Sequence, residues 1–505
     1  MTMLSGRFVG SPSDELIGDV VFSHARRTPD AVAVVSEHEA LTYAELAESA
    51  RRIAGGLRDR GLGPGDHCVL IASNSPAFVQ GYVACLRIGV AVAPCHPQVG
   101  YARIADTVRR TSARFVLCDN RFESASHTRR LTVEGVVAAA SIGPADGLDD
   151  ATRWSAETSD AATVDPDATM VVLSSSGSSG VPKLVVRSHR RFGRASRRFG
   201  ELWSCTANSV FAVGSMIGHA AALGWGVNPC LFAGATLVIP ENRTAAGLAA
   251  AVRTHGADTM FVVPSQARSM VETAPGRRLR RLILGGEMLE PALVRALHAR
   301  VADQVQNTYG MSEGFCTATD PDILPVGGEV GRSCFADDEV QVRDGMLWVR
   351  SSVLFERYLD HPDPRDDTGF FPTGDLGRIG ESGEIVVTGR AKRVISRGGL
   401  KVSPEEVESN LGGHPALAEM VVVGVPDARY GERICAAVTT RPDHDPPTRA
   451  EIAEYLTARG VGRLLIPDEV VVLAQLPRTA TGKPDWNAVA AHIASSSNVS
   501  IRNRP

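Results

Sequence analysis

The sequence Ser174-Ser175-Ser176-Gly177-Ser178-Ser179-Gly180-Val181-Pro182-Lys183 directly follows the apolar segment Met170-Val171-Val172-Leu173. Glycines let the backbone turn its N–H groups toward an anion, serine hydroxyls add donors, and a lysine supplies a compact positive charge. The stretch is therefore typical of a loop that grips phosphate after a buried strand. A flexible Ser/Gly linker has a similar composition and is the alternative for this stretch taken alone.

The spacing within this stretch argues against one common phosphate loop. A Walker A motif has four residues between its glycines and a Ser or Thr after its lysine. Here two residues separate Gly177 from Gly180, and Leu184 follows Lys183. P-loop kinase or GTPase chemistry is therefore not expected.

Length and composition favour a multidomain protein that acts on a small molecule. With 505 residues, of which 44% are hydrophobic, the chain exceeds what one core usually supports. Its 53 basic and 57 acidic residues give a net charge of -4, which provides no broad attraction to nucleic acid or to an anionic membrane. The nine cysteines form no CxxC pair, and the residue pattern leads us to expect neither a leader nor a membrane-spanning segment. We expect a soluble, cytoplasmic protein.

Strand-like and helix-like segments alternate through the larger part of the chain. Thr42 and Glu45 predict a capping box at the start of a helix that ends near Gly61. Residues 68–72 predict a buried strand, Ser75-Pro76 starts a helix, and residues 90–93 resume a strand, which together make a βαβ unit. This alternation predicts an α/β fold with largely parallel sheets.

A change in composition near Arg390 predicts a second, smaller α+β domain. We expect its strands at residues 420–425 and 469–473, and its helices at residues 405–410 and 449–459. The chain then divides into an N-terminal domain of residues 1–391, a C-terminal domain of residues 392–494 and a flexible tail of residues 495–505.

Four further motifs follow the Ser/Gly stretch: Asn307-Thr308-Tyr309-Gly310-Met311-Ser312-Glu313, Pro372-Thr373-Gly374-Asp375-Leu376, Gly389-Arg390-Ala391-Lys392 and Thr481-Gly482-Lys483. With that stretch, they resemble the adenylate-forming superfamily of acyl-CoA synthetases, stand-alone adenylation domains and firefly luciferase. The resemblance extends from Leu41-Thr42-Tyr43 to Lys483. It implies a large N-terminal domain, a small mobile C-terminal domain and a crevice between them where ATP and a carboxylic acid react.

The resemblance implies that most of these residues bind ATP. The loop would hold the β- and γ-phosphates through Ser175, Ser176, Gly177, Ser178, Ser179, Gly180 and Lys183. Glu313 would bind Mg²⁺ with Ser312 nearby, since hard cations prefer oxygen ligands. Asp375 and Arg390 would contact the ribose, and Lys401 would contact a phosphate. The adenine would lie against Asn307, Tyr309 and Gly310 and against the backbone of Gly285-Gly286-Glu287. Turn residues without a binding role are the alternative for these positions.

The resemblance also assigns a catalytic lysine and a hinge to the C-terminal part. Lys483 would be a point charge that reaches both the acid's carboxylate and the α-phosphate; without the neighbouring motifs it would read as a solvated surface lysine. Lys392 occupies the hinge position. Rotation of the small domain would withdraw Lys483 and present Arg397-Gly398-Gly399 to a thiol, either of CoA or of a carrier-protein phosphopantetheine arm.

The acid would be selected by Gly214-Ser215-Met216-Ile217-Gly218-His219-Ala220-Ala221-Ala222-Leu223-Gly224-Trp225, together with residues 285–287 and 314–316. These walls are apolar and partly small. No Asp stands where amino-acid adenylation domains hold an α-ammonium group, so we expect a hydrophobic acid, aryl or alicyclic. His219 would orient the carboxylate; a packed, hydrogen-bonded histidine is the alternative.

We therefore expect an acid–thiol ligase that uses ATP and Mg²⁺ and transfers the acyl group to CoA, as a monomer or homodimer. Transfer to a separate carrier protein or to an amine is the alternative within the superfamily. Two other classes are a non-catalytic homologue and a luciferase-like oxidoreductase. The intact Lys183, Glu313, Asp375, Arg390 and Lys483 argue against the first, and oxygen consumption tests the second. Leu184, where the superfamily commonly has glycine, removes no charge that the chemistry requires.

Overall fold

In the part of the chain that the structure describes, three β-sheets flanked by helices form the framework of the protein, which is known from a computed structural model. The structure describes residues 15–501 except residues 100, 135–137, 156–161, 176–182, 241, 274, 288, 327, 394, 398–399, 403, 428–430, 460, 462–464 and 480–482.

The described helices are α1 (Ile17–Arg27), α2 (Tyr43–Asp59), α3 (Pro76–Arg87), α4 (Tyr101–Arg110), α5 (Phe122–Val133), α6 (His189–Leu202), α7 (Ala220–Ala222), α8 (Asn228–Ala233), α9 (Ala245–His255), α10 (Pro264–Thr273), α11 (Pro291–Arg300), α12 (Pro404–Leu411), α13 (Arg449–Ala458) and α14 (Trp486–Ile501). A π-helical turn (Leu223–Val227) joins α7 to α8.

The described strands are β1 (Val32–Val35), β2 (Ala40–Thr42), β3 (His67–Ile71), β4 (Ala91–Cys95), β5 (Phe115–Asp119), β6 (Ala138–Ile142), β7 (Thr169–Ser174), β8 (Leu184–Ser188), β9 (Val210–Val213), β10 (Thr236–Val238), β11 (Thr259–Val262), β12 (Leu279–Gly285), β13 (Ala302–Gly310), β14 (Cys316–Ala318), β15 (Glu329–Ser333), β16 (Glu339–Arg343), β17 (Met346–Arg350), β18 (Arg357–Tyr358), β19 (Phe371–Ile379), β20 (Ile385–Arg390), β21 (Ile395–Arg397), β22 (Leu400–Val402), β23 (Leu417–Asp427), β24 (Gly431–Thr440) and β25 (Glu469–Val472).

Two of the sheets belong to the large N-terminal domain. The first has the order β16-β17-β19-β20-β15-β14-β13-β12-β11-β9-β10-β1-β2; the pairs from β13 to β1 are parallel, and the other pairs are antiparallel. The second has the order β18-β8-β7-β4-β3-β5-β6 and is parallel from β7 to β6. These sheets confirm the predicted α/β fold with parallel-rich sheets.

Helices cover both faces of these sheets, which is why the strands are apolar on both sides. In β3, Cys68 and Leu70 pack into the core that lies between the two sheets, whereas Val69 and Ile71 pack into a separate core on the outer face. Alternate residues of a strand face opposite ways, so a strand covered on both faces reads as a continuous apolar run. Helices α2, α3 and α6 fill the central layer between the sheets.

Local sequence signals mark where several helices begin. Thr42 and Glu45 form the predicted capping box at the start of α2. Pro76 lies in the first turn of α3, where its missing N–H costs no hydrogen bond. Strands β3 and β4 flank α3 and pair in parallel, which confirms the predicted βαβ unit.

The small C-terminal domain is built on the third sheet, in the order β22-β21-β24-β23 with β25 beside β24. Helices α12 and α13 pack on one face and α14 on the other. Helix α14 continues to Ile501, so residues 495–501 are helical; the flexibility predicted for residues 495–505 remains a prediction. Buried contacts of Val489 and Ile493 with β23 and β24 hold the preceding turns of α14 and allow the helix to continue. None of the helices in the described part of the chain combines the length and apolar character needed to cross a membrane.

Candidate active site

A cavity of about 880 Å³ lies between the carboxyl ends of the parallel strands and the small domain. This edge of a parallel sheet is where open α/β folds bind ligands. The small domain lines the opposite side of the cavity with Glu405, Glu408, Glu419 and Lys483. Of the residues predicted for the site, the cavity brings together Ser175, His219, Glu287, Gly310, Ser312 and Lys483.

The predicted phosphate loop is described at its two ends. The N–H of Ser175 donates a 2.9 Å hydrogen bond to the carbonyl of Lys183, so the ends of the loop are held together where β7 and β8 pair. The ammonium of Lys183 lies 4.5 Å from the centre of the Tyr358 ring, a cation–π contact. The predictions for Ser176, Gly177, Ser178, Ser179 and Gly180 lie outside the described residues.

Glu313 is held by residues that sequence analysis did not identify. The hydroxyl of Tyr358 donates a 2.7 Å hydrogen bond to Oε1 of Glu313, and the N–H of Phe355 donates a 2.6 Å bond to the Glu313 carbonyl. Burial, reinforced by the Glu313 carboxylate, raises the pKa of Tyr358 well above its ordinary value, so the phenol stays protonated and donates. One tyrosine thus joins Lys183 to Glu313.

The segment that contains Ser312 and Glu313 rests on a buried arginine. Arg187, on β8, is 2% exposed, and its Nη1 and Nη2 donate to the carbonyls of Ser312 (3.1 Å) and Val353 (3.0 Å). Burial lowers its pKa to about 10, so the guanidinium remains charged. The signal was present in the sequence, because a charged residue within the apolar run of β8 needs a structural or functional reason.

Asp375, the predicted ribose ligand, is tied to the predicted adenine-binding strand. It is buried, its N–H donates to Oγ1 of Thr373 (3.0 Å), and its Oδ2 accepts a 2.5 Å bond from the hydroxyl of Tyr309. Arg390 lies directly opposite Asp375 in the antiparallel ladder of β19 and β20. The backbone therefore brings Tyr309, Asp375 and Arg390 to one place, although they are far apart in sequence.

Asn307 and the residues at the end of β12 complete this wall. The Asn307 side chain donates a 2.8 Å bond to the Glu329 carbonyl, which fixes it against β15. Gly285 ends β12, and Gly286 has a φ of +85°, a conformation that favours glycine. The turn leads to Glu287, whose side chain lines the cavity.

His219 lies immediately before α7 and lines the cavity. The side chain is exposed, but it meets the solvent of the cavity with protein on most sides. Burial, followed by the charges of Lys483 and Arg243, lowers the pKa of His219 to about 4. The imidazole is therefore neutral at neutral pH, and it shares the cavity with Lys483.

Two amide side chains hold the segment that carries His219. Asn74 donates to the Ser215 carbonyl (2.8 Å) and accepts from the N–H of Ile217 (3.2 Å). Gln266 donates to the Gly214 carbonyl at 2.7 Å and accepts from the N–H of Val263 at 3.3 Å. Sequence analysis missed both residues, because single amides in loops carry no local pattern.

The inner wall of the cavity is apolar and is shaped by Trp225. Its ring packs against Phe199 and edge-on to Phe261, and it closely approaches two glycines. A Cβ on Gly285 or on Gly310 would lie 2.8 Å or 2.7 Å from a Trp225 ring atom. Both positions therefore require glycine for this packing. Further apolar lining includes Phe78, Pro94, Ala220, Ala221, Val263 and Phe315.

The chain passes from the first sheet to the third between β20 and β21. The turn Ala391–Arg393 joins them, and Arg393 binds Glu405 (2.8 Å) and Glu408 (2.8 Å) of α12 and the carbonyl of Val422 at 3.0 Å. Burial raises the pKa of Glu408 in spite of Arg393. The turn is thus fastened to the small domain. The predicted boundary at residues 391/392 and the hinge role of Lys392 remain predictions.

The predicted thiol-binding segment lies at the β21–β22 hairpin. Arg397 pairs with Leu400, and Lys401 pairs with Ser396 in this hairpin. Gly398 and Gly399 lie outside the described residues. The roles of Arg397 and Lys401 therefore remain predictions.

Family comparisons match both parts of the chain. Residues 21–359 match the family described as "AMP-binding enzyme", and residues 406–483 match "AMP-binding enzyme C-terminal domain". The first match alone covers more than half of the chain.

Similar proteins match over nearly the whole length. A protein of Mycobacterium tuberculosis (strain ATCC 25618 / H37Rv) described as "Salicyl-AMP ligase / salicyl-S-ArCP synthetase" is 30% identical, with 97% of this chain and 93% of the relative covered. A Streptomyces sp protein described as "Salicylyl-CoA synthase / salicylate adenylyltransferase" is 29% identical, with 93% and 92% covered. The apo structure of Mycobacterium smegmatis MbtA is 28% identical and superposes with a TM-score of 0.71 over 95% of each chain.

Proposed function

The chain belongs to the AMP-binding enzyme family, and from this premise we propose that it activates an aromatic carboxylic acid with ATP and transfers the acyl group to a pantetheine thiol. The observation that carries the proposal is the shared cavity. It joins His219 and Gly310 of the large domain to Lys483 of the small one. A carboxylate and a nucleotide that react there would be enclosed from both sides.

The first step joins two anions. An oxygen of the acid's carboxylate attacks the α-phosphorus of ATP, the bond to the bridging oxygen of pyrophosphate breaks, and pyrophosphate leaves with the electron pair. Lys483 would offset the charge that accumulates on the carboxylate and on the α-phosphate. The neutral imidazole of His219 would donate a hydrogen bond to the carboxylate and hold it in line.

The β- and γ-phosphates would be held by Lys183, Ser175 and the adjoining loop of residues 176–180. Glu313 and Ser312 offer the carboxylate and hydroxyl oxygens that suit Mg²⁺. Among the described residues no three His, Cys, Asp or Glu side chains form a metal centre. Bound Mg²⁺ would neutralise phosphate charge, while Tyr358 keeps the Glu313 carboxylate in place.

The nucleoside would lie across the strand ends. Asp375 and Arg390, which face each other on β19 and β20, would contact the ribose hydroxyls. The adenine would lie against Asn307, Tyr309 and Gly310 and the backbone of residues 285–287. The hydrogen bond from Tyr309 to Asp375 supports this arrangement, because it fixes the carboxylate beside the ring.

An aromatic acid suits the apolar inner wall around Trp225 and Phe315. The proposal is supported by the relatives from Mycobacterium tuberculosis and Streptomyces, whose descriptions both name a salicyl group.

In the second step the thiol sulfur attacks the acyl carbon, the bond from that carbon to AMP breaks, and the thiol loses its proton. We propose that residues 392–494 rotate about Lys392 for this step, that Arg397, Gly398 and Gly399 approach the pantetheine arm, and that Lys401 contacts a phosphate. Free CoA is the acceptor that we propose. A carrier-bound arm is the second candidate, because the Mycobacterium tuberculosis relative is described as a salicyl-S-ArCP synthetase.

The acceptor is tested by supplying ATP, Mg²⁺ and an accepted aryl acid with CoA, with a phosphopantetheine-loaded carrier protein or with an amine. Mass spectrometry of the products identifies the acyl conjugate. The proposal expects a thioester of CoA. Acylation of the amine alone would contradict thiol transfer, and acylation of the carrier alone would establish the second candidate.

A further inference from the structure

The active-site cavity has a neighbouring opening, here called the mouth, with which it shares Arg243. An adjoining cavity of about 500 Å³ opens widely to solvent and is lined by Glu37, Arg121, Asn242, Arg243 and Thr244. Arg243 lines this cavity and the active-site cavity alike. Its side chain therefore lies where the solvent-exposed cavity borders the active-site cavity.

Arg243 carries a charge that the described residues leave without a counter-ion. Its guanidinium forms neither an ion pair nor a hydrogen bond within the described part of the chain. The side chain is half-buried, and burial lowers its pKa from the ordinary value of 12.5. Keeping an arginine partly desolvated without a partner costs free energy. This arrangement indicates a site that an anion completes.

Arg121 also lines the mouth, but its Nε lies 4.0 Å from Oδ2 of Asp119, so its charge is shared with a carboxylate. Arg243 has no such pair among the described residues. His96 lies on the inner side; burial lowers its pKa to about 4, so the ring is neutral at neutral pH and offers Arg243 no opposing charge.

The turn that carries Arg243 is fixed. Oδ1 of Asn242 accepts a 3.1 Å hydrogen bond from the N–H of Thr244. Oγ1 of Thr244 accepts a 3.4 Å bond from the N–H of Gly247 and so caps α9. A fixed backbone limits the conformational entropy that Arg243 would lose on binding an anion.

We propose that Arg243 forms a phosphate subsite that binds the phosphate of the phosphopantetheine arm, so that the thiol enters the cavity through this mouth. The inference rests on the proposed function, in which that arm carries the accepting thiol. The thiol end of the arm is uncharged and narrow, whereas its other end carries a phosphate, and an arginine at the mouth matches that end. CoA and a carrier-bound arm share this phosphate, so the subsite serves either source.

The direct test compares phosphopantetheine with pantetheine, which carry the same thiol and differ by the phosphate. For the wild-type protein we expect kcat/KM for thioester formation to be about tenfold or more higher with phosphopantetheine, as one charge-assisted contact provides. Arg243→Gln should bring the two thiols to near equality, and Arg243→Lys should keep part of the preference. Arg253→Gln, at an exposed position of α9, is the matched control and should keep the full preference.

Equal use of the two thiols by the wild-type protein would overturn the subsite, and so would a full preference in Arg243→Gln. Should Arg243→Gln fail to fold, the wild-type comparison and Arg243→Lys still decide. Acid-dependent pyrophosphate exchange in the same preparations needs no thiol. Its absence would defeat the proposed function, whereas its presence with no phosphate preference would defeat the subsite alone. With CoA and a loaded carrier, Arg243→Gln should raise KM for whichever is accepted; an unchanged KM for both would contradict the proposal.

Discussion

The hydroxyl of Tyr358 donates a 2.7 Å hydrogen bond to the carboxylate of Glu313, 45 residues earlier in the chain. The same ring lies beneath the ammonium of Lys183. One side chain therefore positions the residue proposed for Mg²⁺ and contacts the residue proposed for the phosphates. A second relation of this kind joins Tyr309 to Asp375, so both halves of the proposed nucleotide site are held by a phenol and a carboxylate.

Tyr358→Phe should weaken the use of Mg²⁺ and ATP while keeping the ring beneath Lys183. A hydrogen bond to a charged group contributes about 1.5–3 kcal/mol, so we expect kcat/KM for MgATP to fall about 10- to 100-fold. Pyrophosphate exchange at varied Mg²⁺ concentration measures this change in kcat/KM. Tyr101→Phe is the control, since it removes the exposed phenol–carboxylate hydrogen bond between Tyr101 and Glu134. Equal behaviour of the two variants would count against the role of Tyr358.

Arg187→Met should reduce both stability and exchange activity. It leaves the carbonyls of Ser312 and Val353 without donors in a buried place, at a cost of about 1–3 kcal/mol each. Arg187→Lys should recover part of the loss, because one ammonium can still donate. Urea unfolding and pyrophosphate exchange provide the measurements. Arg194→Met, in the exposed ion pair with Asp337, should cost about 1 kcal/mol or less; an equally small cost for Arg187→Met would contradict the account.

Stability should fall as the pH drops below 7, in part because of His189. This residue is buried, neither ring nitrogen has a hydrogen-bond partner among the residues that the structure describes, and burial lowers its pKa from 6.5 to about 4. Below about pH 6.5 the unfolded chain binds a proton that the folded protein does not bind until about pH 4. This difference in proton binding lowers the free energy of unfolding as the pH falls from neutrality, by about 2 kcal/mol at pH 5.

His189→Leu should remove that share of the pH dependence. The free energy of unfolding, measured by urea at pH 8 and at pH 5, should decline less in the variant than in the wild-type protein by about 2 kcal/mol. His298→Leu, at an exposed position, provides the reference slope. An equal decline in His189→Leu and in the wild-type protein would show that His189 does not cause this part of the pH dependence.

Lys483→Ala should separate the two steps of the reaction. Loss of the cation from the cavity should slow acyl-adenylate formation about 10²- to 10³-fold, judged from other preorganised charge donors. Thioester formation from supplied acyl-adenylate should be spared, because the small domain is proposed to withdraw Lys483 before the thiol attacks. Single-turnover assays of each step measure the split. An equal loss in both would argue against the rotation.

The sequence was informative wherever the deciding contacts are local. The capping box of Thr42 and Glu45, the alternation around α3 and the strands of the small domain depend on residues within a few positions of each other, and the structure confirms them. Gly285 was predicted to wall the adenine and the acid, and Gly310 to contact the adenine, but the reason for glycine at these two positions could not be predicted. It lies in the ring of Trp225, which approaches both.

Contacts between distant segments were beyond the reach of the sequence. Tyr358 reaches Glu313 and Tyr309 reaches Asp375 only after the strands that carry them have paired. The π-helical turn after α7 contains Trp225, whose ring packs against Phe199 and Phe261 from other segments. Arg187 stood out as a charge in a buried strand, yet the carbonyls that it binds come from two other segments.

The central claim, that the cavity makes a mixed anhydride of an aromatic acid and AMP, is tested most directly by pyrophosphate exchange into ATP without any thiol. A panel of aryl, alicyclic and fatty acids would be offered with ATP and Mg²⁺. The account predicts exchange that depends on the acid and is strongest for an aryl acid, with acyl-AMP detected by mass spectrometry. No exchange with any acid, from protein that is folded and binds ATP, would contradict it.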